Sequence, residues 1–293
     1  MPAVSVVVTT RDRAVLLERC LRSVRAQTFR DHEVVVVDDA SRDATPALAR
    51  RWASRRVRFL RRRVPGGAAS GRNAALKLVT GRLVAFLDDD DEWRSDKLAR
   101  QVAAFADPSA AFVHTDFDAI DEAGRVLCRR ALTCPAADLA GLTPRQRRVI
   151  GFYRRCPILP LRPMPQLSSV MMRTGLLRRL GGFDPAFKAI HYDLDLWLRV
   201  RRDAGPEALR FLPQPLLRYR VHEGGVTGAV ARLQGRRAPA PLSPRDFDLL
   251  ADNLLLGGRH TREHAYCRPG AHLCRALPPG FKPVPAALWR ALR

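Results

Sequence analysis

Residues Leu83 to Leu87 form an unbroken apolar run, LVAFL, and the next four residues, Asp88 to Asp91, are all aspartate. A short apolar run of this kind reads as a strand buried on both faces. Such a strand can end in carboxylates only where the sheet meets solvent or a ligand. Several negative oxygens at one strand end repel one another until a cation or heavy solvation offsets them. A solvated acidic turn accounts for a bare run of aspartates. A divalent ion is the competing reading, and the position favours it, because open α/β sheets bind ligands at the carboxyl ends of their strands.

The sequence around this run alternates between two periodicities. Val4 to Thr9, Glu33 to Val37, Val57 to Leu60, Leu83 to Leu87 and Ala111 to Thr115 read as strands. Between the first two, Leu16, Leu17, Cys20, Leu21 and Val24 recur at helical spacing up to Gln27. Further helices are expected around Leu48 and Trp52, with capping chemistry from Ser41 and Asp43, through Asn73 to Val79 after a glycine-rich turn at Gly66 to Gly71, and over Ser95 to Phe105. Strand–helix alternation over the first 116 residues predicts a Rossmann-like, mainly parallel sheet flanked by helices.

From Leu132 to Pro165 the pattern dissolves into Pro- and Arg-rich sequence, which predicts an irregular flap. Order returns with a strand at Leu167 to Met172, a helix at Thr174 to Leu180, a helix beginning near Asp193, and strands at Leu209 to Leu212 and Leu216 to Val221. The expected organisation is one α/β domain over residues 1–227, divided at about 116, and an extension over 228–293 in which residues 242–256 suggest one helix.

Composition narrows the function classes. With 293 residues, 46% of them hydrophobic, the chain can bury a substantial core. The net charge of +22 raises a nucleic-acid partner. The arginines are scattered through every segment, however, without a recognition helix, zinc finger or aromatic RNA-binding signature, so no nucleic-acid partner is expected. An anionic bilayer surface fits better. Six cysteines without a CxxC spacing indicate neither zinc nor a redox pair. No signal segment or membrane span is legible, so a cytoplasmic setting is expected, with peripheral contact at the inner face of the membrane.

Gly66 to Asn73 superficially fits a phosphate loop, but Arg72-Asn73 stand where a P-loop needs Lys followed by Ser or Thr. No GxGxxG supports a dinucleotide enzyme. Asp38 and Asp39, ending the second strand, either close the turn that follows or accept hydrogen bonds from a base or ribose. With Asp88 to Asp91 they make two acidic strand ends on one sheet edge.

Taken in order, VSVVVTTRDR, VVVVDDASRDAT, the Gly-Arg-Asn turn, LVAFLDDDDEW, GGFDPAF, DLDLWLRV and YRVHEGGVT resemble family 2 glycosyltransferases of the GT-A fold, over roughly Val4 to Thr227. The resemblance implies an inverting transferase that moves a sugar from a nucleotide diphosphate sugar, a UDP-sugar first among donors, to a saccharide or lipid-linked acceptor hydroxyl, with Mn²⁺ or Mg²⁺. It places Thr9 in the nucleotide pocket and Asp39 against the base. Arg11 stands where the family often carries an aromatic residue, and a guanidinium plane can stack as well.

Asp88 to Asp90 fill the DxD position, with Asp88 and Asp89 toward the nucleotide sugar and Asp90 on the metal. Arg72 and His222 are expected near the diphosphate, His222 as a second metal ligand. Asp193 is the implied catalytic base, with Asp195 as fallback, and Tyr192 replaces the family's glutamate. Tyr192 is the one hint of a non-catalytic nucleotide-sugar-binding module. A nucleotidyltransferase would need a glycine-rich, lysine-containing signature after the first strand, which TTRDRAVL lacks.

Overall fold

The computed structural model describes residues 2–155, 163–185 and 192–222. The extension expected over 228–293, including its helix, lies outside the described residues. The amino-terminal layer follows the predicted alternation: β1 (Val4–Thr10), α1 (Ala14–Arg25), β2 (His32–Asp38), α2 (Thr45–Trp52), β3 (Val57–Arg61), α3 (Gly67–Leu76) and β4 (Leu83–Asp88). After it come β5 (Glu92–Trp93), α4 (Lys97–Ala104), β6 (Phe112–Ile120), β7 (Val126–Cys128), α5 (Pro144–Arg155), β8 (Met171–Arg173), α6 (Thr174–Arg179), α7 (Tyr192–Ala204) and β9 (Leu209–Arg220).

The strands form a nine-stranded sheet of order β3-β2-β1-β4-β8-β6-β9-β5, with β7 paired to β6. β1 to β4 are mutually parallel. Side chains alternate between the two faces, as the two-residue period of a strand requires. Val4, Val6 and Val8 meet α1, α2 and α4, whereas Val7, Val35 and Phe86 meet α3, α6 and α7. Both faces of β1, β2 and β4 are covered, so their central residues are almost all apolar and buried. No helix among the described residues is long and apolar enough to cross a membrane.

Six local expectations are corrected. The strand read as ending at Thr115 continues to Ile120 through His114, Thr115, Asp116 and Asp118, all buried. The aspartates hid it, but both carboxylates are met: Asp116 accepts from Leu132 N at 2.9 Å and Thr133 Oγ1 at 2.6 Å, and Asp118 from Arg94 Nη2 at 2.8 Å. Nor is β6 the next parallel neighbour of β4, because β8 lies between them, antiparallel to both. Residues Leu167–Ser169 form a 3-10 turn, which leaves only Met171–Arg173 as strand.

Gly67–Gly71 is helical rather than a loop, and Gly71 packs closely on β1, where a Cβ would stand 3.2 Å from Thr9 Cγ2. The segment read as irregular contains α5, which opens on a capping box. Thr143 Oγ1 accepts from Gln146 N at 3.2 Å while Gln146 Oε1 accepts from Thr143 N at 2.9 Å, and Pro144 starts the helix. Finally, the two carboxy-terminal strands are one, β9, parallel to β6 with register shifts opposite Asp116 that absorb Pro213 and Pro215.

His114, on β6, gives the fold a measurable acid sensitivity. Its ring is buried 5.0 Å from that of Phe211, and Nδ1 has no hydrogen-bond partner. Burial holds its pKa down to about 3. The unfolded chain therefore binds the extra proton between about pH 6.5 and pH 3, so the contribution is whole above that window and is lost as pH falls through it. Replacing the ring by an uncharged one in His114→Phe should flatten the stability–pH curve there by as much as about 4 kcal/mol. Chemical denaturation at pH 7, 5 and 4 reads this directly; parallel curves for the two proteins would assign the acid sensitivity to other groups.

Candidate active site

The parallel registers set the site. Thr9 lies level with Val37 on one side and with Asp88 on the other, and Thr10 lies level with Asp38. The carboxyl ends of β1, β2 and β4 therefore share one edge. The loops leaving β1 and β2 are tied together: Asp12, at φ 54°, donates its N–H to Ser41 Oγ at 2.9 Å and accepts from Arg42 N at 2.6 Å. Asp43 accepts from Ala14 N at 2.8 Å and from Thr45 N at 2.9 Å, so one carboxylate serves the starts of two helices.

Asp88 to Asp91 are held individually. Asp88 accepts from the buried Arg72 guanidinium, and its N–H donates to Ser168 Oγ at 3.0 Å. Arg13 Nη1 lies 3.1 Å from Asp89 Oδ1 and 2.9 Å from Asp90 Oδ2, and His222 Nε2 stands 2.9 Å from that same Asp90 oxygen. Asp91 accepts from Arg220 N at 2.9 Å and Gln166 Nε2 at 3.3 Å. Three of the four thus meet a cationic side chain, while the partners named for Asp91 are neutral.

The proton affinities cut across this division, because burial outweighs the cation at two of the three. Burial, reinforced by the Asp90 charge, pushes Asp89 up to about 7 and Asp91 well above the usual carboxylate range. Burial also raises Asp88 despite Arg72. Burial alone would raise Asp90 too, but the hydrogen bond with His222 and the charge of Arg13 bring it below its ordinary value. Asp88, Asp90 and Asp91 each present a carboxylate oxygen, all within 4.8 Å of one another. Hard oxygen donors in this number suit Mg²⁺ or Mn²⁺.

The Gly-Arg-Asn stretch acts through α3. Arg72 is stacked 4.9 Å from the Tyr192 ring centroid and 5.7 Å from that of Phe183, and its Nη1 is buried without a hydrogen-bond partner. Asn73 donates to Phe183 O at 2.6 Å and accepts from Phe183 N at 2.9 Å, which fixes the Gly181-Gly182-Phe183 turn. Gly182, at φ 76°, is required there, since a Cβ would meet Asn73 Oδ1 at 2.6 Å.

Asp193 lies in the first turn of α7, accepting from Leu194 N at 2.9 Å; burial raises its pKa, and Arg72 and Asp88 are both near enough to act on its charge. Asp195 points into the core instead. It is fully buried and bound by Arg199 at 2.6 Å, and Arg199 also donates to Leu180 O and Gly182 O.

The structure therefore gathers Arg72, Asp88, Asp89, Asp90, His222 and Asp193 around one strand end. Asp39 sits beside them on its own contacts, accepting from Gly67 N at 2.9 Å and Arg62 Nη1 at 2.8 Å, and Asp38 closes the turn to Ser41 N at 2.8 Å. Thr9 is half-buried against Gly71, and Arg11 is exposed with its Nε 3.6 Å from Asp12. Sequence reasoning missed Arg13, Asp91, Gln166 and Ser168. Only Asp91 carried a local signal, as the fourth member of the aspartate run.

With this geometry in place, likeness to known proteins becomes informative. The sequence profile described as "Glycosyl transferase family 2" matches residues 5–180, more than half of the chain. This chain belongs to glycosyl transferase family 2. An Escherichia coli relative, UDP-Glc:alpha-D-GlcNAc-diphosphoundecaprenol beta-1,3-glucosyltransferase WfgD, is 31% identical over 118 residues, 40% of this chain and 47% of the relative. The chain spans about half the length of the curated relatives it matches, 47% in that case.

Among solved structures, S. aureus TarS 1-349 in complex with UDP-GlcNAc shares the fold at a TM-score of 0.59 and 20% identity, over 88% of this chain and 68% of that one. The mannosyltransferase PcManGT from Pyrobaculum calidifontis, in complex with GDP-Man and Mn2+, aligns at 0.55 and 23%, over 87% and 70%. The GT-A fold is thereby shared by this family 2 chain.

The core ion pair separates Asp195 from Asp193 experimentally. Asp195→Ala leaves the Arg199 charge buried without its partner and should cost about 3–5 kcal/mol in urea unfolding. A loss below about 1 kcal/mol would show that Arg199 is satisfied by the two carbonyls alone.

Proposed function

We propose that this chain is a metal-dependent, inverting glycosyltransferase that moves a sugar from a UDP-sugar to an acceptor hydroxyl in the synthesis of a cell-envelope or other surface polysaccharide. One observation carries the reading: Asp88, Asp90 and Asp91 present convergent oxygens beside a buried Arg72 whose Nη1 has no partner, with Asp193 in electrostatic range. An oxygen cluster beside an unsatisfied guanidinium nitrogen suits a cation together with an anionic group. Asp88, Asp90 and Asp91 would hold Mn²⁺ or Mg²⁺, which as a Lewis acid offsets the charge of the departing diphosphate.

This chain's own residues supply the rest. Arg72 is fixed by Asp88 and by the two aromatic rings, so its positive charge is held in place beside the carboxylates where the donor's diphosphate would lie. His222, hydrogen-bonded to Asp90, sets the orientation of that carboxylate. Asp193 accepts the acceptor hydroxyl's proton as the new glycosidic C–O bond forms and the bond to the diphosphate breaks, its electron pair leaving with the nucleotide. A burial-raised carboxylate holds that proton more firmly than an exposed one would. One base acting on one face gives inversion.

Thr9, Arg11, Asp39 and Asp89 complete the nucleotide-sugar pocket in this reading: Thr9 and Asp39 lie on the edge shared by β1 and β2, and Arg11 lies at its rim. WfgD, with UDP-Glc and a diphosphoundecaprenol acceptor in its name, and TarS, solved with UDP-GlcNAc, support UDP donors and a lipid-linked acceptor here. That acceptor brings the chain to an anionic cytoplasmic bilayer surface, toward which the excess of arginine is complementary.

Transfer from UDP-Glc and UDP-GlcNAc to a lipid-linked GlcNAc acceptor, with Mn²⁺ and with EDTA, tests the proposal. Asp193→Asn should keep donor affinity while transfer falls by about a thousandfold or more. Asp90→Asn should weaken Mn²⁺-dependent donor binding. Because Asp193 must be ionised to act, kcat/KM should rise with pH along a limb displaced above the ordinary carboxylate range. Equal transfer rates for wild type and Asp193→Asn would remove Asp193 from the chemistry.

A further inference from the structure

Arg13 occupies the place a metal ion would contest. Its Nη1 bridges Asp89 Oδ1 and Asp90 Oδ2, and the bridged Asp90 belongs to the convergent triad with Asp88 and Asp91. Asp90 Oδ2 also faces His222 Nε2 at 2.9 Å. The ion pair is only partly open to solvent: the Arg13 side chain is 26% exposed and those of Asp89 and Asp90 are 5% and 15%. Water and salt therefore screen it less than a surface pair.

Helix capping does not explain this placement. The first N–H of α1, on Ala14, is taken by Asp43, and Arg13 contributes to the helix through its backbone carbonyl, which accepts from Leu17 N at 2.9 Å. Neither bond uses the guanidinium. What the guanidinium supplies is positive charge between two adjacent carboxylates, 3.1 Å from Asp89 Oδ1 and 2.9 Å from Asp90 Oδ2.

We propose that Arg13 is a built-in counter-cation: it neutralises Asp89 and Asp90 while the acidic run holds no divalent ion, and it competes with that ion for Asp90. The inference rests on the metal-binding reading above. A guanidinium 2.9 Å from a carboxylate oxygen and a divalent ion on the same carboxylate repel strongly at such a separation. Metal loading therefore requires Arg13 to withdraw or share, and the cost of doing so lowers the apparent metal affinity. Arg13 is in this sense a positioning residue, since it acts through the carboxylates.

The test is metal binding by the full chain without nucleotide, read by the free-Mn²⁺ electron paramagnetic resonance signal, alongside melting temperatures in EDTA and in saturating Mn²⁺. Removing the charge in Arg13→Gln should tighten Mn²⁺ binding by about tenfold, within the usual range of coupling between two sites. It should also lower the melting temperature in EDTA, by a margin that narrows in Mn²⁺. Arg13→Lys keeps a charge and should stay near wild type in both readings.

Unchanged or weaker Mn²⁺ binding in Arg13→Gln overturns the proposal. So does an equal loss of melting temperature with and without Mn²⁺, which is the mark of a merely structural contact. If none of the three proteins binds Mn²⁺, the metal reading fails together with this one. If all three bind it equally, Arg13 alone is refuted and the metal reading stands. Neither measurement involves sugar transfer, so a failure of the Asp193 chemistry would leave this inference intact.

Discussion

The mutual repulsion of four adjacent carboxylates at the end of β4 is the constraint around which this protein is arranged. A buried strand delivers Asp88 to Asp91 to a sheet edge, and unbalanced negative charge at that depth would oppose folding. Positive charge is brought by Arg13 before α1 and Arg72 in α3, and His222 after β9 adds a hydrogen bond with Asp90. The Arg13 and His222 contacts join elements far apart in sequence, so the bonds that hold the acidic run also tie the fold together. Asp91 shows the other solution, burial among neutral donors, which raises its pKa well above the usual carboxylate range.

A second polar layer lies beneath the acidic run. Trp93 Nε1 donates to Ser168 O at 2.8 Å, Gln101 Nε2 donates to Val113 O and Ser169 O, and the buried Lys97 lies 4.0 Å from the Trp93 ring centroid. The 3-10 turn at Leu167–Ser169 is thereby held against β4, and its Ser168 hydroxyl accepts the Asp88 N–H. Buried networks of this kind are stabilising only when their members are matched, which makes the turn a support for the site as much as a connection.

Much of the amino-terminal layer was legible because its signals are local. VSVVVTT, EVVVV and LVAFL are apolar on both faces because both faces are covered, and Leu17, Cys20, Leu21 and Val24 lie on one stripe of α1. In the second half the same reasoning failed for identifiable causes. β6 carries buried Asp116 and Asp118, which a hydrophobicity pattern scores as surface, although Thr133 and Arg94 satisfy them from outside the strand. The prolines of β9 suggested a break where the strand only shifts register. α5 did announce itself, through Thr143, Pro144 and Gln146, but its low apolar content concealed the signal.

The sequence by itself determined the parallel layer, the acidic strand end and, through motif order, the family, because periodicity and turn chemistry act within a few residues along the chain. Tertiary structure decided which group meets each aspartate, why Asn73 follows Arg72, and that Asp195 is in a core ion pair while Asp193 lies within electrostatic range of Arg72 and Asp88. The reason is sequence distance. Arg13 meets Asp89 across 76 residues and His222 meets Asp90 across 132, and no local pattern encodes which partner will arrive there.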